Sequence, residues 1–184
     1  MKKNLVVTAA LALFFGVGAY ASGVSNGGSL ALTGEVDGSI ALQVLALESG
    51  GITLTGGGGT SAATAATGAV SYYGTADNAS TANGFVKTSD STHIILTGGF
   101  AVQVDKANLT SSNYALTASV TSSDGNAWKL DTVTLTSSAS TALLGGTSSY
   151  ATPVTQTLVI TVPTSAAAGA SAISGTINLT ATAN

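Results

Sequence analysis

Few side chains in this chain can do acid–base or nucleophilic chemistry. It has one histidine, His93, and no cysteine. A general base needs a nucleophile and an orienting partner within reach, and a lone histidine opening the strand-like stretch THIILTGG reads as a surface or edge residue. Asp105, Asp124 and Asp131 flank the central apolar stretches, and two such carboxylates are the apparatus of sugar hydrolysis. Each is also explained by a turn: Asp105 ends a strand pattern, Asp124 precedes Gly125, and Asp131 lies between two short strands. Asp124 and Asn126 with a nearby carboxylate offer the oxygen ligands calcium takes, but their spacing is not that of an EF-hand loop. Gly56–Gly59 lacks the following Lys-Ser or Lys-Thr pair of a phosphate cradle and opens no helix pattern. The expectation is a protein without catalytic residues, cofactor or metal.

Binding chemistry has better candidates. Tyr72, Tyr73 and Trp128 are the flat rings on which a sugar would stack. Trp128 shares strand parity with Leu130 in AWKL, which assigns it to the core. Tyr72 and Tyr73 stand as the ligand-stacking candidates. The sequons at Asn78, Asn108 and Asn178 arise readily by chance in a chain rich in Asn, Ser and Thr and carry no weight here.

These residues must be positioned by strands, because apolar residues recur with a period of two and no apolar stripe with a period of 3.6 follows the N-terminal segment. Alternation is plainest in FAVQVD, where Phe100, Val102 and Val104 should point inward. It is equally plain in NYALTASV, where Tyr114, Leu116, Ala118 and Val120 should do the same. KANLTSSN is then a connection. SLALTGEV, SIALQVLAL, ITLTG, AVSYYG, NGFVKT, THIILTGG, AWKL, TVTLTS, TQTLVITVP and SGTINLTATA complete the strand candidates, punctuated by Gly, Ser and Asn. About ten short strands without intervening helices predict an all-β, two-sheet antiparallel sandwich of Ig-like or jelly-roll type. The short, irregularly spaced strands and scarce aromatics argue against a membrane barrel, and the lack of a fixed period argues against a solenoid.

The N-terminus has Lys2 and Lys3, an apolar run from Leu5 to Ala19, and the triplet Ala19, Tyr20, Ala21, which is the layout of a helical signal peptide. The run is shorter than the ~20 residues a membrane span needs. The expected organisation is a cleaved signal peptide over 1–21, an N-terminal extension or first strand over 22–38, and a domain over 39–184. The expected location is outside the cell. Beyond residue 21, three lysines and no arginine face eight carboxylates, a net charge of −5. Such a chain has no basic surface for nucleic acid or anionic lipid. Charged residues make up only 7% of the chain, a poverty that suits a protein packed against copies of itself or held in a matrix.

The segment TLVITVPTSAAAGASAISGTINLTATA pairs a strand ending in Val162 and Pro163 with a small-residue connection through Ala168 and Gly169 and a returning strand from Gly175. It resembles the closing strands of secreted bacterial Ig-like surface and fibre-subunit, pilin-like modules. The resemblance covers residues 157–183 and implies an extracellular structural role, without carrying over any functional residue. SGVSNGGSLALTGEVDG supplies a mechanism: Leu30, Leu32 and Val36 follow a Gly/Ser-rich leader and form a strand able to add to the sheet of another subunit. The same residues would otherwise be the first strand of their own domain. The expectation is a structural subunit of a fibre, pilus or matrix, whose partner is a copy of itself. The alternative is a monomeric adhesin or carbohydrate-binding module that meets glycans or a host or cell surface.

Overall fold

A computed structural model of the chain describes residues 38–55, 62–68, 70–122, 124–137, 141–164 and 173–184, with the side chains of 144–147 left aside. Leu30, Leu32, Val36, the signal segment and Gly56–Gly59 lie outside the described residues. So does most of the connection between the last two strands.

Every regular element among the described residues is a strand. In chain order these are β1 (Ser39–Leu45), β2 (Leu54–Thr55), β3 (Thr64–Ala65), β4 (Val86–Ser89), β5 (His93–Ala107), β6 (Asn113–Ser122), β7 (Ala127–Leu130), β8 (Val133–Thr134), β9 (Thr141–Ser149), β10 (Val154–Pro163) and β11 (Gly175–Ala183). A six-stranded antiparallel sheet runs in the order β1-β5-β10-β7-β8, with β4 also paired to β5. A three-stranded sheet runs β11-β6-β9, and β2 pairs with β3 alone.

The larger sheet is organised by β5, which is 15 residues long and buries alternate positions. Its two halves carry different partners on one edge: β1 pairs along Ala101–Ala107, and β4 along Ile94–Thr97. The other edge is occupied by β10 over ten residue pairs. The sequence divides this strand into THIILTGG and FAVQVD, with Gly98 and Gly99 as a break. Instead β5 passes straight through, and the glycines serve packing. A Cβ on Gly98 would collide with Ile52 and crowd Phe85, so its bare backbone admits both side chains to the core.

One apolar cluster joins the two larger sheets. From the six-stranded sheet come Ile94, Leu96, Phe100, Val102, Val104, Trp128 and Leu130; from the three-stranded sheet come Tyr114, Leu116, Ala118 and Val120. The inward faces read from FAVQVD and NYALTASV are buried as expected, as is Trp128. Burial of this kind stabilises by about 25 cal/mol per Å² of apolar surface removed from water.

Two elements depart from the sequence reading. AVSYYG forms no strand, since residues 72–74 make a turn. The periodicity also gave no sign of β9, which holds Leu143 and Leu144 in succession before a Gly-Gly pair and meets β6 through register shifts. Positive φ falls on Asn78, Asn108, Asp131 and Ala151 outside the glycines, and Asn and Asp tolerate that region best.

Gly38 packs against Asn108 and Leu109, while the Asn184 amide donates to the Asn113 carbonyl at 3.0 Å. The chain therefore enters at residue 38 and leaves at residue 184 at one end of the domain, on either side of the β5–β6 connection.

Candidate functional site

Among the described residues the two larger sheets differ in width, and a site lies beside the edge of the smaller one. β11 pairs with β6 on one edge, and its other edge has no strand partner among the described residues. A partly open cavity of about 720 Å³ meets that edge. Its lining joins Phe100, Leu158 and Ile160 of the large sheet to Ile177 of β11, Leu54 of β2 and residues 62–68. Outward-facing Thr176 and Asn178 border it together with inward-facing Ile177 and Leu179, so the cavity meets the backbone edge of β11 as well as its inner face. An open row of N–H and C=O groups beside an apolar trough fits an extended chain with alternating apolar side chains. Gly175 opens β11 directly over Trp128, where a Cβ would stand 2.8 Å from Cζ2 of the indole.

The second site is the turn carrying Tyr72 and Tyr73. The Tyr72 hydroxyl donates to the Asp90 carbonyl at 2.9 Å, and its ring packs against the core. Tyr73 crosses Tyr72 edge to face, with centroids 4.6 Å apart at 87°, and is 93% exposed. A cavity of about 420 Å³ beside the pair is lined also by Val70, Ser71, Ser91, Ile94 and Thr164.

Beneath this turn lies Lys87, 2% exposed and fully partnered. Its ammonium donates to the carbonyls of Tyr72 at 2.9 Å and Thr75 at 2.6 Å, and pairs with the Asp77 carboxylate at 3.1 Å. Three acceptors match the three donors of a lysine. Asp77 also accepts from the Ser89 hydroxyl at 2.8 Å. That hydroxyl first, and then Lys87, hold the Asp77 carboxyl below its ordinary value. Lys87 was not among the residues singled out from sequence, although it shares strand parity with Phe85 in NGFVKT. A charge on the apolar parity of a strand is the signal that could have found it.

The remaining candidates are each hydrogen-bonded within the fold. His93 sits by Asp90 and Thr92, with Nδ1 2.8 Å from the Thr92 hydroxyl, in a turn whose Thr92 and His93 amides both donate to Asp90. Asp105 accepts from the Gln103 amide at 2.8 Å and from the Gln43 amide. Asp124 accepts from the Asn126 and Ser174 amides at 3.0 Å and from the Trp128 indole at 3.5 Å. Burial pushes this carboxyl up, but the hydrogen bonds outweigh it and hold the carboxyl below its ordinary value. Asp131 accepts the Thr157 amide at 2.8 Å and turns β7 into β8. The three carboxylates thus have separate partners, and among the described residues no group of three His, Cys, Asp or Glu could hold a metal ion.

No protein-family model matches the chain, and no curated protein or solved structure matches it either.

Proposed function

We propose that the chain is a secreted, non-enzymatic β-sandwich of Ig-like or jelly-roll type that serves as a structural subunit of an extracellular fibre, pilus or matrix. The carrying observation is the apolar cavity along the edge of β11 that has no strand partner among the described residues. A strand laid there would gain main-chain hydrogen bonds from β11 and bury alternate side chains against Phe100, Leu158 and Ile160. The strand proposed is residues 22–38 of a neighbouring copy, in which Leu30, Leu32 and Val36 share one parity across Gly34. Such a head-to-tail contact does not close on itself and so builds filaments. The low charge of the chain supports this reading, because charged side chains are depleted where interfaces are buried.

Electron microscopy and sedimentation of the secreted protein test it. Filaments are expected from the intact chain, with their loss on removal of residues 22–38 or on Leu30→Asp with Leu32→Asp. A protein that stays monomeric at high concentration with the segment intact refutes the fibre reading. Filaments that survive removal of the segment refute the mechanism alone.

A further inference from the structure

We infer that the turn at Tyr72 and Tyr73 is a binding site for a neutral pyranose sugar, with the Tyr73 ring as its stacking platform. This site is separate from the β11 edge and does not depend on assembly. Among the described residues Tyr73 is the one large apolar side chain left exposed, at 93%. A single exposed ring is unremarkable on its own; the scaffolding around this one points to a ligand. The ring stands edge to face on Tyr72, which is anchored to the Asp90 carbonyl by its hydroxyl and to Lys87 by its own carbonyl. The turn is closed by the Gly74 amide donating to the Ser71 hydroxyl at 2.5 Å. Lys87 is buried and uses all three donors beneath the turn, so the backbone that carries the platform is held in place before any ligand arrives. Preorganisation of this kind lowers the ordering cost of binding.

The chemistry of the lining narrows the ligand. The cavity of about 420 Å³ is small-molecule sized, and no charged side chain lines it. Ser71, Ser91 and Thr164 line it with Val70 and Ile94. The Ser71 hydroxyl already accepts from the Gly74 amide and the Thr164 hydroxyl donates to the Thr92 carbonyl at 3.1 Å, each keeping further capacity for a ligand hydroxyl. A flat ring, an apolar patch and neutral hydroxyls complement a pyranose, which presents C–H groups on one face and hydroxyls at its edge. Of the ionised groups around the turn, Lys87 lies directly beneath Tyr72 and is balanced by Asp77 at 3.1 Å, and the Asp90 carboxylate is tied to Thr92 and His93. With Lys87 engaged by Asp77 and two carbonyls and no charged side chain in the lining, the cavity offers no cation to pair with a sulfated or uronic sugar.

The test is calorimetry and saturation-transfer NMR on the full chain with cellotetraose and β-1,4-galactotetraose, using polygalacturonate as the anionic control. Binding of at least one neutral oligosaccharide is expected, with transfer to its axial protons. Tyr73→Ala should weaken it about tenfold, Tyr73→Trp should preserve it, and polygalacturonate should bind more weakly. Because Tyr73 is exposed, Tyr73→Ala should melt like the parent, which separates lost binding from lost folding. Absence of binding at millimolar sugar, or equal binding by Tyr73→Ala, overturns the proposal. So does a Tyr73→Ala variant that alters only self-association, which would make the ring a protein contact.

Discussion

Lys87 shows how far a single residue can organise a surface it does not reach. Removing it would leave the carbonyls of Tyr72 and Thr75 unpaired and Asp77 without its cation. Lys87→Met, which keeps the aliphatic stem, is therefore expected to lower stability by about 1–3 kcal/mol, the usual cost of leaving partly buried acceptors unmade. The urea midpoint measures it, and an unchanged midpoint would show the staple to be dispensable. The partner carboxylate sets an acid limit. Asp77, Asp90 and Asp124 are all held below the ordinary value of 3.8, so in the folded state they stay ionised to lower pH than in the unfolded chain. Their contribution is fully present above that ordinary value and is lost as pH falls through the folded values. Melting temperature should thus hold level near neutrality and fall below about pH 4, less steeply in Asp77→Asn. Of this residue-scale detail, the sequence made Trp128 legible through its parity with Leu130, whereas the pairing of Lys87 depends on a turn some ten positions earlier that no local pattern announces.

At the scale of elements, alternation identified the strands whose sequence alternates and missed the one whose sequence does not. FAVQVD and NYALTASV were legible because every second residue is buried in both. β9 was not, since TALLGGTSS has adjacent leucines and adjacent glycines in place of a period of two, and it meets β6 through register shifts. Gly98 misled for a related reason: a glycine inside a strand signals a break as readily as a close approach, and only the position of Ile52 and Phe85 decides. Filling that space makes a sharp test. Gly98→Leu is expected to destabilise by about 1–3 kcal/mol as an overpacked core position, whereas Thr180→Ala on the exposed face of β11 should stay within about 0.5 kcal/mol. Thermal melts of the two variants compare them directly. Equal stabilities would mean that Ile52 and Phe85 yield to the added side chain.

Among the described residues the two larger sheets have six and three strands, and the cavity beside β11, invisible in the periodicity of any one strand, lies where the smaller sheet stops. The sequence did suggest which segment could occupy it, through Leu30 and Leu32, but offered no sight of the trough itself, which draws on residues more than a hundred positions apart. A synthetic peptide of residues 28–38, added to a chain lacking 22–38, should therefore raise the melting temperature in a dose-dependent way. At a hundredfold excess over its Kd the gain is about 2.7 kcal/mol. A Leu30→Asp, Leu32→Asp peptide should give none, and equal effects from both peptides would place any binding elsewhere.

The common end shared by residues 38 and 184 bears on mechanical load. Opposed pulls applied at those two points would peel β1 from β5, starting at the pair Ser39 and Ala107, and β11 from β6, starting at Ala183 and Tyr114. Each hydrogen-bonded pair would then carry the tension alone and fail in turn. Tension passed instead through a strand seated lengthwise on β11 would load its ladder in shear, all rungs together. The same domain would thus be soft where its own backbone is tugged and stiff at β11, were a neighbouring strand seated there.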